Sequence, residues 1–364
     1  TQILTNQNTN AQETEIQPLA SVSCGTPGFS LPTNIDIGTN PFSVSKGDFN
    51  NDGITDLVTA NFNANTISIF LGNNLGGFST TNLPTNASPR RVTVADFNND
   101  GVEDLVVANR NSTSLSFFLG NNSTPGTFTG PTNIPIAAIG VSIDSGDFNL
   151  DGKLDLAIAT DPNLVVVLIG NGAGSFSVPT IFTTLQPPNF INIADINKDG
   201  KPDIVTSSRS GSISVLPGNG VGSFGASIDT ITNTDAAIFS LGDINLDGNL
   251  DLVTANLLNA SSSILIGNGT GTFTIATPIT TRANPTGVAI TDLDLDGKAD
   301  LAITNSLSTS TSFFKGNGDG TFAVSRNFSV GTTPNFIITD DLNKDGKPDL
   351  IVSNQASRNL SILT

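Results

Sequence analysis

Apolar residues in this chain come in short runs, cut apart by polar clusters rich in Asp, Asn and Gly. Arg91-Val92-Thr93-Val94-Ala95 alternates in the manner of a half-buried strand, and Leu105-Val106-Val107-Ala108 is a continuous β-branched run. Asn109 to Thr113 is polar, and Ser114-Leu115-Ser116-Phe117-Phe118-Leu119 is a third run ending in Gly120-Asn121-Asn122. A short turn then carries Gly126-Thr127-Phe128 into a fourth. The pattern predicts four short strands joined by hairpins, one twisted antiparallel sheet. Such a sheet cannot bury both faces alone, so it must stack on others like it.

The chain supplies those others. The pattern Asp-x-Asx-x-Asp-Gly-x-x-Asp begins at Asp48, Asp96, Asp147, Asp195, Asp243, Asp292 and Asp341, at spacings of 48, 51, 48, 48, 49 and 49 residues. Seven copies at a near-constant period identify a repeat protein. The last copy stops at its third strand, Ser361-Ile362-Leu363-Thr364, without the Gly-Asn turn and Phe that follow elsewhere. Thr26-Pro27-Gly28-Phe29-Ser30 matches Thr124-Pro125-Gly126-Thr127-Phe128, so the N-terminal strand is expected to complete the seventh sheet. That closes a ring, protects the edges an open array would expose, and excludes an open solenoid.

The loop chemistry is that of a hard cation. Calcium takes six to eight oxygens in flexible geometry. The expected side-chain ligands are Asp48, Asn50, Asp52 and Asp56; Asp96, Asn98, Asp100 and Asp104; Asp147, Asn149, Asp151 and Asp155; Asp195, Asn197, Asp199 and Asp203; Asp243, Asn245, Asp247 and Asp251; Asp292, Asp294, Asp296 and Asp300; and Asp341, Asn343, Asp345 and Asp349. These are loop positions 1, 3, 5 and 9. Position 7 (Ile54, Val102, Lys153, Lys201, Asn249, Lys298, Lys347) can add a backbone carbonyl, and Gly at position 6 makes the reversal. About seven Ca2+ ions, one per repeat, follow. An EF-hand is excluded, because position 12 is Thr, Val or Ile rather than Glu and a strand rather than a helix follows. Gly-Asn-Gly turns recur at Gly170, Gly218, Gly267 and Gly316, with Gly-Asn-Asn at Gly72 and Gly120, and each turn is expected to supply the positive φ of a tight hairpin. Phe78, Phe128, Phe176, Phe224, Phe273 and Phe322 are expected to wedge between adjacent sheets.

Composition sharpens this picture. The 364 residues include 15 basic and 32 acidic side chains, a net charge of −17. Loop positions hold 22 of the acids, and seven divalent cations would bring −17 to about −3. The acidity is a metal-ligand inventory, and it argues against nucleic acid, which needs a basic surface. No run approaches the 18 apolar residues of a membrane span. The chain has no Met, which fits a processed chain, and calcium is millimolar outside cells, so a secreted, extracellular or cell-surface location is expected. Residues 1–24 form a polar tail, and 25–364 the repeat domain. The tail either docks on a second copy as an added strand, giving a homo-oligomer, or lies along its own domain. Cys24, after Leu19-Ala20-Ser21-Val22-Ser23, reads as a buried or free thiol and not as a lipoprotein site.

The acidic loops and the Gly-x-Phe segments together resemble the FG-GAP (VCBS) repeat family, over about residues 25–364. The family's Phe-Gly and Gly-Ala-Pro signatures are only partly present. The resemblance implies an all-β, seven-bladed β-propeller of four-stranded antiparallel blades, with calcium between the first two strands of a blade. Integrin-like members carry metal loops in only some blades; here all seven do, which places the chain nearer secreted bacterial or fungal members.

The expected function is a non-catalytic adhesion or scaffold module. Six of the eight lysines fall in metal loops, and Arg90, Arg91, Arg110, Arg209, Arg282 and Arg358 in connections expected on the opposite face. That face suits an anionic partner, a protein surface or an acidic polysaccharide. Two other readings stay open. A lectin would lack Trp and Tyr platforms, and a calcium-assisted polysaccharide-active enzyme would have no His as general base. Lys46-Gly47-Asp48 looks like an adhesion tripeptide, but Asp48 is spoken for as a metal ligand.

Overall fold

The computed structural model describes residues 28–73, 76–232 and 234–364. The polar tail, Cys24, Thr26 and Pro27 lie outside the described residues, and with them the expectation that the tail docks on a second copy. All regular structure among the described residues is β. The strands form seven antiparallel sheets of four lanes each, blades 1 to 7 in chain order. In blade 2, for example, the lanes are Pro89–Ala95, Asp104–Asn109, Ser114–Gly120 and Phe128–Pro135. In blade 5 the third and fourth lanes are each broken in two, at Ser263 and between Ile275 and Ile279.

Blade 7 is built from both ends of the chain. Pro334–Asp340, Asp349–Asn354 and Asn359–Leu363 are its inner three strands, and Thr33–Asp36 is its outer one. Thr33 pairs with Ile362 and Asp36 with Asn359. Ser30 N donates to Thr364 O at 2.9 Å. The expected closure is thus present, and it leaves no inner edge strand open.

Burial follows position within the blade. Every second strand is buried at each of its six residues, because neighbouring blades cover both of its faces. That is why these strands read as continuous runs and not as alternation. Fourth strands sit at the rim, and Phe78–Pro84 shows four consecutive exposed residues. The Phe wedges are where the repeat put them. Phe128 of blade 2 lies 5.5 Å from Phe49 of blade 1, Phe176 of blade 3 lies 5.8 Å from Phe97 of blade 2, and Phe224 of blade 4 lies 5.2 Å from Phe148 of blade 3. Each is edge-on, the favoured aromatic geometry. Phe322 packs against the cluster that holds Ile244, and Phe29 against the one that holds Leu293.

One regularity is invisible to the hydrophobic pattern. Each first strand carries a β-bulge at its second residue: Phe42, Arg90, Val141, Asn189, Ala237, Thr286 and Asn335. A bulge sets two residues of one strand against one of its partner and re-aims the side chains there. In blades 1 to 4 both the bulged residue and the next one line the axial channel.

Deleting the chain through Asp36 removes the outer strand of blade 7 and leaves Asn359–Leu363 unpaired. The expected result is a melting temperature lower by about 10 °C and a tendency to self-associate. Scanning fluorimetry with size-exclusion chromatography checks this, and an unchanged melting curve would contradict closure.

Candidate metal centres

Each acidic loop folds around its own carboxylates. In blade 1, Asp48 accepts from the amides of Asp52 (3.0 Å) and Gly53 (2.8 Å), Asn50 Oδ1 from Asp52 N (3.1 Å), and Asp52 Oδ1 from Ile54 N (2.8 Å). The bond from position 7 to the position 5 carboxylate recurs in all seven loops: 2.9 Å at Val102, 3.0 Å at Lys153, 3.1 Å at Lys201, 2.7 Å at Asn249, 3.0 Å at Lys298 and 2.9 Å at Lys347. The amides fix the direction of each carboxylate. A carboxylate oxygen has more than one lone-pair site, so these bonds leave capacity for a cation.

The loop needs two left-handed residues, and the sequence signals only one. Position 6 is Gly, with φ of 74° at Gly53. Position 4 is also left-handed in every blade, though it is Asn51, Asn99, Leu150, Lys198, Leu246, Leu295 or Lys344. Asn tolerates this conformation, whereas Leu and Lys do so at a cost of about 1 kcal/mol or more each. The position 4 side chain reaches the following blade: Asn51 Nδ2 donates to Gly101 O (3.1 Å), and Lys344 Nζ to Gly53 O (2.6 Å) across the ring closure.

The position 9 aspartates tie two segments of the blade together. Asp203 is fully buried, accepts from Ile196 N at 3.0 Å in its own loop, and accepts from Gly218 N at 2.8 Å at the start of the hairpin. Asp56, Asp104, Asp155, Asp251 and Asp300 do the same, to Gly72, Gly120, Gly170, Gly267 and Gly316. The expected positive φ is carried by the second glycine of each Gly-Asn-Gly turn, Gly172, Gly220, Gly269 and Gly318, and not by the first. The first glycine is there for space, since a Cβ on Gly170, Gly218, Gly267 or Gly316 would overlap the carbonyl oxygen of loop position 8.

Burial pushes Asp56, Asp104, Asp300 and Asp349 up to about 6, against the lowering effect of the amide bonds they accept. At position 5 the direction reverses: the Asn249 amide holds Asp247 low, and the Lys315 ammonium holds Asp296 low.

Blade 6 differs from the rest. Its position 3 is Asp294, and ligand oxygens of Asp292, Asp294 and Asp300 lie within 4.8 Å of one another. One cation bound at 2.3–2.6 Å to each oxygen spans such a spacing. Asp294 Oδ1 is buried without a hydrogen-bond partner. Lys315 Nζ contacts Asp294 and, at 3.0 Å, Asp296. The equivalent residues in other blades are Leu71, Leu119, Ile169, Pro217 and Ile266. Lys153 and Lys201 touch their own position 5 carboxylates at 3.3 and 3.2 Å. An all-oxygen, multiply acidic donor set fits a hard divalent cation and no soft metal.

The arginines do not share one setting. Arg90 and Arg91 are not in a connection; they stand on the first strand of blade 2, at the bulge, and enter the axial channel. Arg90 lies 4.8 Å from the Phe42 ring centroid and donates to Asn189 Oδ1 at 2.8 Å. Arg110 pairs with Asp161 (2.7 Å) and Arg209 with Asp235 (3.3 Å). Together with Phe62 and Asn189, Arg90, Arg110 and Arg209 line a depression of about 390 Å³ at the mouth opposite the metal loops. Arg282 and Arg358 are exposed, outside that depression.

Replacing Asp203 with Ala strips the partner from three amides, those of Ile196, Asn197 and Gly218, and is expected to cost about 2–5 kcal/mol in urea denaturation with chelator present. In metal-free protein the raised aspartates bind protons more tightly folded than unfolded between pH 3.8 and about 6. Stability should therefore rise as pH falls from 7.5 to 5. A metal-free melting temperature that drops over that range contradicts this.

A family model described as FG-GAP-like repeat matches the chain six times, at residues 48–107, 96–158, 147–206, 195–254, 243–303 and 292–352. No curated protein sequence matches. Among solved structures the chain is similar to BBS1N in complex with ARL6DN. In the crystal soaked with lead the TM-score is 0.64 at 13% identity, covering 92% of this chain and 96% of that one. In the crystal soaked with mercury the TM-score is 0.67 at 12% identity, covering 93% and 97%. At that identity the likeness shows the fold alone. With seven acidic loops in seven four-stranded blades, and a family model matched from 48 to 352, this chain belongs to the FG-GAP repeat family and is a seven-bladed β-propeller.

Proposed function

We propose that the chain is a calcium-binding propeller, working outside a cell or on its surface as a non-catalytic adhesion or scaffold module. The observation that carries the metal assignment is the sevenfold loop with its carboxylates oriented by their own amides. Asp, Asn and a backbone carbonyl at positions 1, 3, 5, 7 and 9 would hold one Ca2+ per blade. The ion would replace repulsion among three or more carboxylates with attraction, and so would lock the hairpin that carries them. Blade 6 starts from a different balance, because a cation there must displace Lys315 from Asp294 and Asp296.

The partner surface in this reading is the arginine-lined mouth opposite the metal loops. Arg90 stands beside Arg110 and Arg209, and burial followed by these two like charges lowers its guanidinium to about 10. It is still cationic at neutral pH. A carboxylate from an acidic protein segment would relieve the crowding of like charge. The solved propeller BBS1N is in complex with a protein, which supports a protein partner for this fold. An acidic polysaccharide offers the same carboxylates, and the test below separates the two.

Extracellular calcium modules bind with Kd of roughly 10⁻⁴ to 10⁻³ M. A few millimolar calcium then adds about 1 kcal/mol per site. Chelation is expected to lower the melting temperature by roughly 20 °C, and an unchanged value would reject the metal assignment. Lys315→Leu, which installs the residue found at Leu71 and Leu119, should raise calcium occupancy of the blade 6 loop in crystals at limiting calcium. Arg110→Ser with Arg209→Ser should weaken capture of immobilised poly-L-glutamate about tenfold while moving the melting temperature by less than about 3 °C. Undiminished capture would reject the mouth, and capture of polygalacturonate alone would favour the polysaccharide.

A further inference from the structure

Four arginines meet at the axis and its mouth, and three of them have an acid of their own. Arg110 pairs with Asp161 at 2.7 Å and Arg209 with Asp235 at 3.3 Å. Arg91 lies across two rings, 4.7 Å from the Phe190 centroid and 4.4 Å from that of Phe336, and takes its counter-charge from the buried Asp144. These rings belong to blades 4 and 7, so Arg91 reaches across the axis and plugs the channel below the mouth. Arg90 is the exception. No carboxylate lies within 4.0 Å of it among the described residues. Asp161 acts on it only at longer range, from its place beside Arg110. The mouth therefore carries one positive charge that the protein itself does not pair.

That charge is held in a fixed place. Arg90 Nη2 donates to Asn189 Oδ1 at 2.8 Å, and Asn189 Nδ2 donates in turn to Ala237 O of blade 5. One face of the guanidinium lies on the Phe42 ring, 4.8 Å from its centroid, and the carbonyl of Phe42 accepts from Asn335 Nδ2 of blade 7. Blades 1, 4, 5 and 7 thus fix a single side chain of blade 2. Its remaining N–H groups have no partner among the described residues and, unlike those of Arg91, are not sealed off. A planar guanidinium held at one edge and one face offers a carboxylate its free donors at little further cost in entropy.

Two depressions meet at Arg90. In the first, of about 390 Å³, the apolar wall is Phe42, Phe62, Val141, Pro187 and Pro188. That volume is near the small end of the range for ligand sites, about 300–1,000 Å³. The second, of about 250 Å³, shares Phe42, Arg90, Asn189 and Arg209 with it and is also bordered by Thr333, Asn335 and Gln355. A cation, an apolar wall and a polar exit therefore converge on one point. The last residue of a polypeptide has the matching set on a single carbon: an α-carboxylate, a side chain, and an amide leading back into the chain. An internal Asp or Glu must carry chain away in both directions, and a polyanion brings more charge than Arg90 alone can match. We propose that the mouth receives the free C-terminus of a partner polypeptide whose last side chain is apolar. Arg90 takes the α-carboxylate, Phe62 and its neighbours the side chain, and the second depression the chain behind it. This rests on the reading of the mouth as a partner surface, and narrows the partner from any carboxylate to one chain end.

The test is an array of tethered peptides, each ending in three varied residues after a Gly-Ser spacer, made in pairs with a free carboxylate or an amide at the end. With calcium present, capture is expected from free ends with an apolar last residue, falling about tenfold on amidation. Equal capture of acid and amide, capture that follows Asp and Glu wherever they stand, or no capture at all overturns the chain-end assignment. Poly-L-glutamate capture that still depends on Arg110 and Arg209 then shows that the mouth survives without it. Sodium hexanoate competing as well as the best peptide makes the ligand a small acid and overturns the proposal. Arg90→Gln should abolish the preference for acid over amide, and Phe62→Ser should weaken capture of the best peptide about tenfold with the melting temperature unmoved. Should Arg90→Gln fail to fold, Phe62→Ser and the acid–amide pairs decide. A preference for acid that is the same in Arg90→Gln and the unaltered protein overturns the role of Arg90.

Discussion

The buried aspartate at loop position 9 is the constraint on which each blade depends. It joins the loop to the hairpin of its own blade through two amides, as Asp155 does with Phe148 and Gly170. The loop then holds the next blade, since the carbonyl of Phe148 accepts from Gly222 N at 2.9 Å. Phe49 and Gly126, Phe97 and Gly174, and Ile244 and Gly320 repeat this link. Beneath each link lies a wedge contact such as Phe148 with Phe224. A hydrogen-bonded carboxylate of this kind is worth about 1.5–3 kcal/mol per bond, more than a surface ion pair. Loop shape and blade spacing are therefore set by the same group, and whatever orders a loop also orders the junction between two blades.

Against this sevenfold frame, the chemistry that singles out the molecule lies in the departures from it. Only blade 2 puts arginines at and after the bulge, and only blade 6 has Asp at position 3 with a lysine reaching it. Blade 7 alone is assembled from two distant segments. A bulge in every first strand gives the channel its lining, and the residue types at those bulges decide what the channel holds. Symmetry supplies stability by repetition, while single-blade substitutions supply a particular mouth, a particular plug and one atypical acidic loop.

Much of this was legible in the chain itself. The period, the strand runs, the acidic loops, the Phe wedges and the closing strand are all local or repeated patterns. Each follows from a rule acting within about ten residues, or from counting copies. Leu105–Ala108 must be a covered strand because it has no polar alternation, and Gly101 must turn because nothing else takes φ of 84° so cheaply. Among the described residues, though, three acidic ligand oxygens lie within 4.8 Å of one another in blade 6 alone, at Asp292, Asp294 and Asp300.

Other features belong to the ring alone. Leu150, Leu246 and Leu295 are left-handed although nothing in their side chains asks for it, because the loop closes on carboxylates from both sides. Gly170 and Gly218 look like turn residues and are instead points where two backbones nearly touch. Arg90 and Arg91 read as surface charge between two strands, yet a bulge turns both into the axis, and Phe190 and Phe336 come from blades about 100 and 245 residues further along the chain. Sequence spacing determined everything that one blade does by itself. What meets at the axis was decided by seven blades arriving there together, a distance relation that no stretch of sequence contains.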